Sequence, residues 1–337
     1  KTNAYIDNSS IYSDHTNTSS VANAGAVSLS AINTSDITAR IAAVAATVGL
    51  SGNSGLSGAI GAAIAYNNIG EKLDGTQQAI EVQSYIRNSS VDAGGKLVLD
   101  TDADLTIDAG AGAGSMAISA SGSTALSGAG TGVNTTNNVA ANVKAFIEDT
   151  GALKGTYSTS IAADSISVTA DDISEITANV GAASLALSFG STSVALTIGV
   201  SLARNSIDND ISTYIDDIDS VSSRSTSIVL NATNSATIST ESVAVSLAAS
   251  FGSTGIGLAG AGAEATNVIL TNTSAYLKDT SVTSETTVEV AAKNTGTITA
   301  TVAAVAAAAG FGSTGVGGAI GAGVARNFIG FDDDGSP

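Results

Sequence analysis

"AAAAGFGSTGVGGAIGAGVARN", residues 306–327, is almost entirely Ala, Gly and Val, with a polar Ser313-Thr314 pair at its centre. Such a stretch fits a membrane-inserting hairpin, a silk-like packing surface or a loop that cradles a ligand. Its recurrence decides between them. "FGSTG" returns at 251–255, "FGSTS" at 189–193 and "SGST" at 121–124, which places Gly122, Gly190, Gly252 and Gly312 at intervals of 68, 62 and 60. The first copy reads "GLSGNSGLSGAIG" from Gly49, a version one residue longer. A polar pair that recurs at every bend is turn chemistry, because Ser and Thr hydroxyls bond to nearby backbone in turns.

Two further markers keep the same order. "AYIDNSSI", "SYIRNSSV", "AFIEDTGAL", "TYIDDIDSV" and "AYLKDTSV" carry a ring at Tyr5, Tyr85, Phe146, Tyr214 and Tyr276. "IAYNNIG", "SLARNSI" and "GVARNFIG" align at Asn67, Asn205 and Asn327, with the second copy degenerate as "GTGVNTTNNV". Three ordered markers recurring together define internal repeats. Five units result, at approximately 1–79, 80–141, 142–209, 210–271 and 272–337, which form one repetitive domain.

Each unit reads as strand. "SIVLNATNSATIST" and "TTVEVAAKNTGTITATVAAV" alternate Val, Ile or Ala with Thr, Ser or Glu, the period of a pleated strand. "VAAVAAAAG" (302–310) has helical propensity, but its counterparts "VGAASLALS" (180–188) and "VAVSLAAS" (243–250) are rich in Ser and Val. Strand is therefore expected in every copy. The fold expected is all-β, an elongated repetitive β-solenoid in which each unit buries its apolar face against its neighbours. A parallel β-helix is favoured; stacked antiparallel hairpin sheets turning at the "FGST" corners are the alternative. The single proline, Pro337, leaves the ladders uninterrupted.

Composition narrows the function classes. Only 4% of residues are aromatic, Trp and Cys are absent, and 30 acids stand against 12 bases for a net charge of −18. A chain this acidic is not a nucleic-acid binder, which needs clustered Lys and Arg. Without Cys there are no disulfides, thiolate metal sites or thiol nucleophiles. No run of 18 apolar residues reads as a membrane helix, and no signal peptide is visible. A barrel would present aromatic girdles that the sequence lacks, so no membrane insertion is expected. The chain begins at Lys1 rather than Met, as a segment or a processed product would.

Motifs of the form "AYI..SSV", followed by "FGSTG", a Gly/Ala strand and "ARN", resemble the repeat segments of very large bacterial surface proteins, the haemagglutinin-like exoproteins and giant repetitive adhesins. The resemblance covers all five units. It implies an extracellular or cell-surface location and a role in adhesion, cell contact or fibre formation. The partners implied are neighbouring segments of the same giant chain, further copies, glycans or another cell surface.

Candidate chemistry is sparse. His15 is the one histidine, so a Ser–His triad has a single possible base. Paired carboxylates such as Asp171/Asp172 and Asp216/Asp217 leave a β-helix carbohydrate-active enzyme as the alternative function, because glycosidases need two suitably spaced acids. Basic residues and aromatic platforms for a sugar are few, and no catalysis is expected. Asp100, Asp102 and Asp104 would share one face of a strand, and Asp208 and Asp210 form a second group; both are candidate Ca²⁺ ligands, since Ca²⁺ takes six to eight oxygens. No other cofactor is expected. Phe189, Phe251, Phe311, Gly312, Gly318, Gly321, Asn205 and Asn327 are the expected corner and packing residues, with Gly318 and Gly321 making the strands thin enough for a neighbouring sheet to pack close on both sides.

Overall fold

The computed structural model describes residues 1–13, 25–72, 76–151 and 158–331; His15 lies outside them. The chain enters on β1 (Thr2–Asp7) and continues through β2 (Ser10–Ser13), β3 (Val27–Ser51) and β4 (Ser54–Ile69). The next coil holds β5 (Ile80–Arg87), β6 (Ser90–Ala93), β7 (Lys96–Ser121) and β8 (Thr124–Glu148). Then come β9 (Ser160–Ala163), β10 (Ser165–Phe189) and β11 (Thr192–Asp216), followed by β12 (Ser220–Ser223), β13 (Ile228–Phe251) and β14 (Thr254–Lys278). The last coil has β15 (Val282–Ser284), β16 (Val288–Phe311) and β17 (Thr314–Ile329).

These strands form three sheets. The front sheet runs β16-β13-β10-β7-β3, and the back sheet runs β1-β5-β8-β11-β14-β17 with β4 also on β8. A narrow closing sheet runs β15-β12-β9-β6-β2. Every ladder between them is parallel, which makes the fold a parallel β-helix. The hairpin alternative fails because strands on either side of an "FGST" corner belong to different sheets: β16 pairs with β13, whereas β17 pairs with β14.

Like residues stack on like. Tyr5, Tyr85, Phe146, Tyr214 and Tyr276 are successive register partners, as are Phe189, Phe251 and Phe311. Tyr5 and Tyr85 are further apart in sequence than the other rings because the register is interrupted twice: Ile69 and Ile80 pair with Val139 and Ala141, and Ser13 and Val27 pair with Ala93 and Leu97. The first corner is not longer than the others. Ser51 pairs with Ser121 and Ser54 with Thr124, so Gly52-Asn53 turns it just as Gly122-Ser123 turns the next. The second copy is not degenerate either, since Asn137 pairs with both Asn67 and Asn205.

The coil is wide and flat. Twenty-five residues in a long strand, such as β10, at ~3.3 Å each span about 80 Å, whereas five coils at ~4.8 Å advance the axis by about 24 Å. The closing sheet props the long sheets apart at one end, the base. Leu97, Leu99, Leu105, Ile107, Ile207, Ile211, Ile215 and Ile228 fill that space, all fully buried. Toward the corners, the tip, the long sheets converge and the interior becomes Ala59, Ala117, Ala129, Ala186, Ala195 and Ala248. The approach is close enough that a Cβ added at Gly257 would meet the Ala309 carbonyl oxygen at 2.7 Å.

Between the back and closing sheets the chain turns through left-handed residues at Asn8, Asn88, Asp217 and Asp279, with φ between 48° and 58°. Asn and Asp tolerate that region better than other side chains with a Cβ, which accounts for "IDN", "IRN", "IDD" and "LKD" at these bends.

Candidate functional site

The inner faces hold ladders that run along the solenoid axis. Asn67 Nδ2 donates to Asn137 Oδ1 at 2.8 Å, Asn137 to Asn205 at 2.7 Å, Asn205 to Asn267 at 2.8 Å and Asn267 to Asn327 at 2.8 Å. All donations point the same way. Among the described residues nothing donates to Asn67 Oδ1 and nothing accepts from Asn327 Nδ2, so the ladder has an acceptor end and a donor end. The rings form a second axial stack, on the outer face of the back sheet: Tyr5–Tyr85 at 5.1 Å, Tyr85–Phe146 and Phe146–Tyr214 at 4.9 Å, and Tyr214–Tyr276 at 5.1 Å. Arg87 lies over the rings of Tyr85 and Phe146 and bonds Glu148 Oε1 at 2.7 Å. Tyr214 donates to Glu148 Oε2 at 3.2 Å, and burial together with that carboxylate pushes its phenol well above the ordinary range.

At the tip, Phe189, Phe251 and Phe311 stack at 4.9 and 4.8 Å. Successive corners nearly touch: a Cβ at Gly312 would sit 1.9 Å from the Gly252 carbonyl oxygen, so only glycine fits there. Gly321 faces the opposing sheet, where a Cβ would meet the Ala304 carbonyl oxygen at 2.9 Å. Gly318 does not share that role. It lies on the outer face, and a Cβ there meets only Leu258 Cδ2 at 3.2 Å. Asn137 and Asn267, which complete the Asn ladder, were not singled out by the sequence markers, although each lies 60–70 residues from the next rung.

The candidate metal ligands fall into two separate places. Asp100, Asp102 and Asp104 lie along β7 in the front sheet, and Asp208 and Asp210 along β11 in the back sheet. Thr169 Oγ1 donates to Asp100 at 2.7 Å. Asp102 pairs in register with Asp171, and partial burial, then Asp100 and Asp171, raise its carboxyl. Asp208 accepts from Gln77 Nε2 at 2.6 Å, and Asp210 pairs with Lys144 Nζ at 2.8 Å. Among the described residues no group of three or more His, Asp or Glu side chains is placed to hold a metal. Of the paired acids, Asp216 is held by Lys278 Nζ at 3.0 Å on the rim of a groove shared with Asp149, Asp217, Asp219 and Asp279. Asp172 points inward instead and is 1% exposed, hydrogen-bonded to Asn209 and Ser174.

The outer faces change character along each strand. In β10 the inward positions run Ile166, Val168, Ala170 at the base and Ser184, Ala186, Ser188 at the tip. The outward positions run Ser167, Thr169, Asp171 at the base and Ala183, Leu185, Leu187 at the tip. Strand β11 does the same: Val194, Leu196 and Ile198 face out at the tip, over buried Ser193, Thr197 and Ser201. Some hydroxyls inside the thin tip bond along the front sheet, as in Ser184–Ser246 at 2.8 Å, or across to a backbone carbonyl, as in Ser188 to Ala125 at 2.9 Å, whereas those of Ser57, Ser127, Ser193 and Ser250 have no partner among the described residues. No helix is long and apolar enough to cross a membrane, among the described residues. Comparison with family models, with curated proteins and with solved structures returns no match.

Proposed function

We propose that the chain is a non-catalytic structural segment of a secreted or cell-surface bacterial protein of the repetitive adhesin kind. Its work is mechanical: it extends along the solenoid axis by adding coils, supplied by neighbouring segments of the same chain or by further copies. The observation that carries this reading is the polarity of the Asn ladder. Asn67 ends it with an acceptor and Asn327 with a donor, so the last coil is complementary to the first. The backbone supports the same reading, since β3 and β4 at one end, and β16 and β17 at the other, each pair on one side within the described residues. Such edges template further strands. The resemblance to giant surface proteins agrees with an extracellular setting.

Negative-stain microscopy and fibre diffraction of the purified protein test this. Filaments that lengthen with concentration and show a meridional spacing of ~4.8 Å are expected. Asn327→Lys, which places a cation where the next coil must land, should shorten or abolish them. Uniform particles of five-coil size at every concentration would overturn the axial reading for free copies.

A further inference from the structure

The outer face of the front sheet at the tip is apolar in every coil. Its outward positions form five rows along the solenoid axis. One row is Ala42, Gly112, Gly181, Val243 and Ala303; the middle row is Ala46, Met116, Leu185, Leu247 and Ala307; the tip row is Leu50, Ala120, Phe189, Phe251 and Phe311. The rows between them begin at Val44 and Val48 and are likewise free of polar side chains. Exposure is substantial even in the inner coils, at 37% for Met116 and 42% for Leu247. The relief is uneven, with a groove of about 340 Å³ along Val44, Met116, Leu185, Val245 and Leu247. The face stops at a polar row of Arg40, Asn179, Glu241 and Thr301.

We infer that this face is the contact surface for a second copy of the chain, packed tip over tip with the two bases pointing in opposite directions. Two observations carry it. The first is area. Five rows ~6.6 Å apart and five strands ~4.8 Å apart make a patch of about 800 Å². Two copies would bury about 1,600 Å², the size of a standard stable interface. The second is charge. Residues 41–65, 111–135, 180–203, 242–263 and 302–325, which form the tip, contain no Asp, Glu, Lys or Arg. The net charge of −18 therefore sits on the remainder. Packing with both tips pointing the same way would set two acidic bases face to face. The opposed arrangement overlaps only the uncharged tips.

The opposed arrangement has a twofold axis parallel to the solenoid axis, running along the middle row. Leu185 then meets its own symmetry mate at the same height, as does Leu247, and the pattern repeats with every coil. Lateral pairing is thus compatible with axial growth and does not depend on it. A lipid layer fits this surface less well. It would strip water from the edges of β3, β4, β16 and β17 across the apolar span, and open sheet edges are not tolerated in hydrocarbon.

Sedimentation equilibrium from low to high micromolar protein tests the inference, in the Asn327→Lys background so that axial growth is suppressed. A monomer–dimer equilibrium is expected. Leu247→Glu, which sets two carboxylates against each other on the twofold axis, should weaken it by roughly a hundredfold or more. Leu196→Glu, on the outer face of the back sheet, should leave it unchanged. Circular dichroism should be the same for all three proteins, because both leucines are exposed.

Because the native chain has no Cys, single spin labels give the orientation. Labels at Leu247→Cys should lie within about 20 Å of each other across the ~10 Å sheet spacing. Labels at Asn231→Cys, 16 residues toward the base, should be about 100 Å apart and show no dipolar coupling. Monomer at every concentration overturns the inference, as does a dimer that Leu247→Glu leaves intact or strong coupling at position 231. A monomer that floats with phosphatidylcholine vesicles also overturns it and assigns the face to lipid.

Discussion

Asn209 on β11 donates to Asp172 Oδ2 on β10 at 2.9 Å, across the slab between the front and back sheets. Ser174 donates to both oxygens of the same carboxyl at 3.1 Å. These bonds favour the anion but do not outweigh burial, which comes first in raising the Asp172 pKa to about 6, with Asp104 adding to it. The sign follows from linkage. A carboxyl whose folded pKa lies above its unfolded value binds more protons when folded, so stability falls as pH rises from about 4 to about 6. The difference of about two pKa units is roughly 3 kcal/mol. Urea unfolding should therefore show higher stability at pH 4.5 than at pH 7 from this group. Asp172→Asn should raise stability at pH 7 and flatten the profile in that window. A slope unchanged by Asp172→Asn would mean that the carboxyl is hydrated in solution.

The Asn ladder makes a second prediction. Asn205 Nδ2 donates to Asn267 Oδ1 and to Thr240 Oγ1, both at 2.8 Å, while its Oδ1 accepts from Asn137. Asn137 is fully buried, so Asn205→Ala strands its Nδ2 donor, whereas Asn267 Oδ1 keeps the Thr240 hydroxyl at 2.7 Å. An unsatisfied buried group costs about 1–3 kcal/mol, and a loss of about 2 kcal/mol is expected by chemical denaturation. Asn327→Ala, at the exposed end of the same ladder, should cost less than about 1 kcal/mol. Equal losses at both positions would show that the ladder is solvated throughout.

Much of the fold was legible because parallel coils place identical residues on top of one another. The Tyr and Phe markers recur in sequence for the reason that they stack in space. Of the corner Ser-Thr pairs, only Ser123, Ser191, Ser253 and Ser313 lie in the turns; Thr124, Thr192, Thr254 and Thr314 each open the next strand. What the sequence hid was the direction in which each alternating residue faces. Strand period gives two faces but does not say which is inside. At the base the larger apolar residues, Ile166 and Val168, face in. At the tip of the same strand Leu185 and Leu187 face out, because the opposing sheet comes too close for Leu or Ile, and the inward positions there are Ala, Ser, Gly, Thr or Val. That spacing is set by the closing sheet, some 20 residues away along the strand, and no local pattern encodes it. Gly318 faces out for this reason: it sits one position out of phase with the glycines that face the other sheet. Asp172 was hidden likewise, since Asp171 beside it points to solvent.

The phase difference is measurable. Gly257 faces the opposing sheet, where a Cβ would meet the Ala309 carbonyl oxygen at 2.7 Å and its carbon at 3.0 Å. Backbone cannot yield as a side chain does, so Gly257→Ala should destabilise by about 1–3 kcal/mol, as overpacking does. At Gly318 the added methyl meets the mobile end of Leu258, and Gly318→Ala should change stability by less than about 0.5 kcal/mol. Paired urea titrations of the two variants decide it. The reverse order would mean that the facing of β14 and β17 is wrong by one residue.

Inside the tip, serines that look alike in sequence should respond in opposite ways. Ser184 and Ser246 share a hydrogen bond at 2.8 Å between the front-sheet strands β10 and β13. Ser193, equally buried on β11, has a hydroxyl with no partner among the described residues. Ser184→Ala leaves the Ser246 hydroxyl unpaired and should cost about 1 kcal/mol, the typical net worth of a hydrogen bond. Ser193→Ala removes a buried polar group that makes no bond and should stabilise the protein by a comparable amount. Ala is already the commonest neighbour in this layer, with Ala125 as the register partner of Ser193 on β8, so no new shape is introduced. Thermal melts of the two variants should shift in opposite directions. A drop for Ser193→Ala would place an ordered water on that hydroxyl, and the thin tip would then be a hydrated seam between the sheets instead of a dry one.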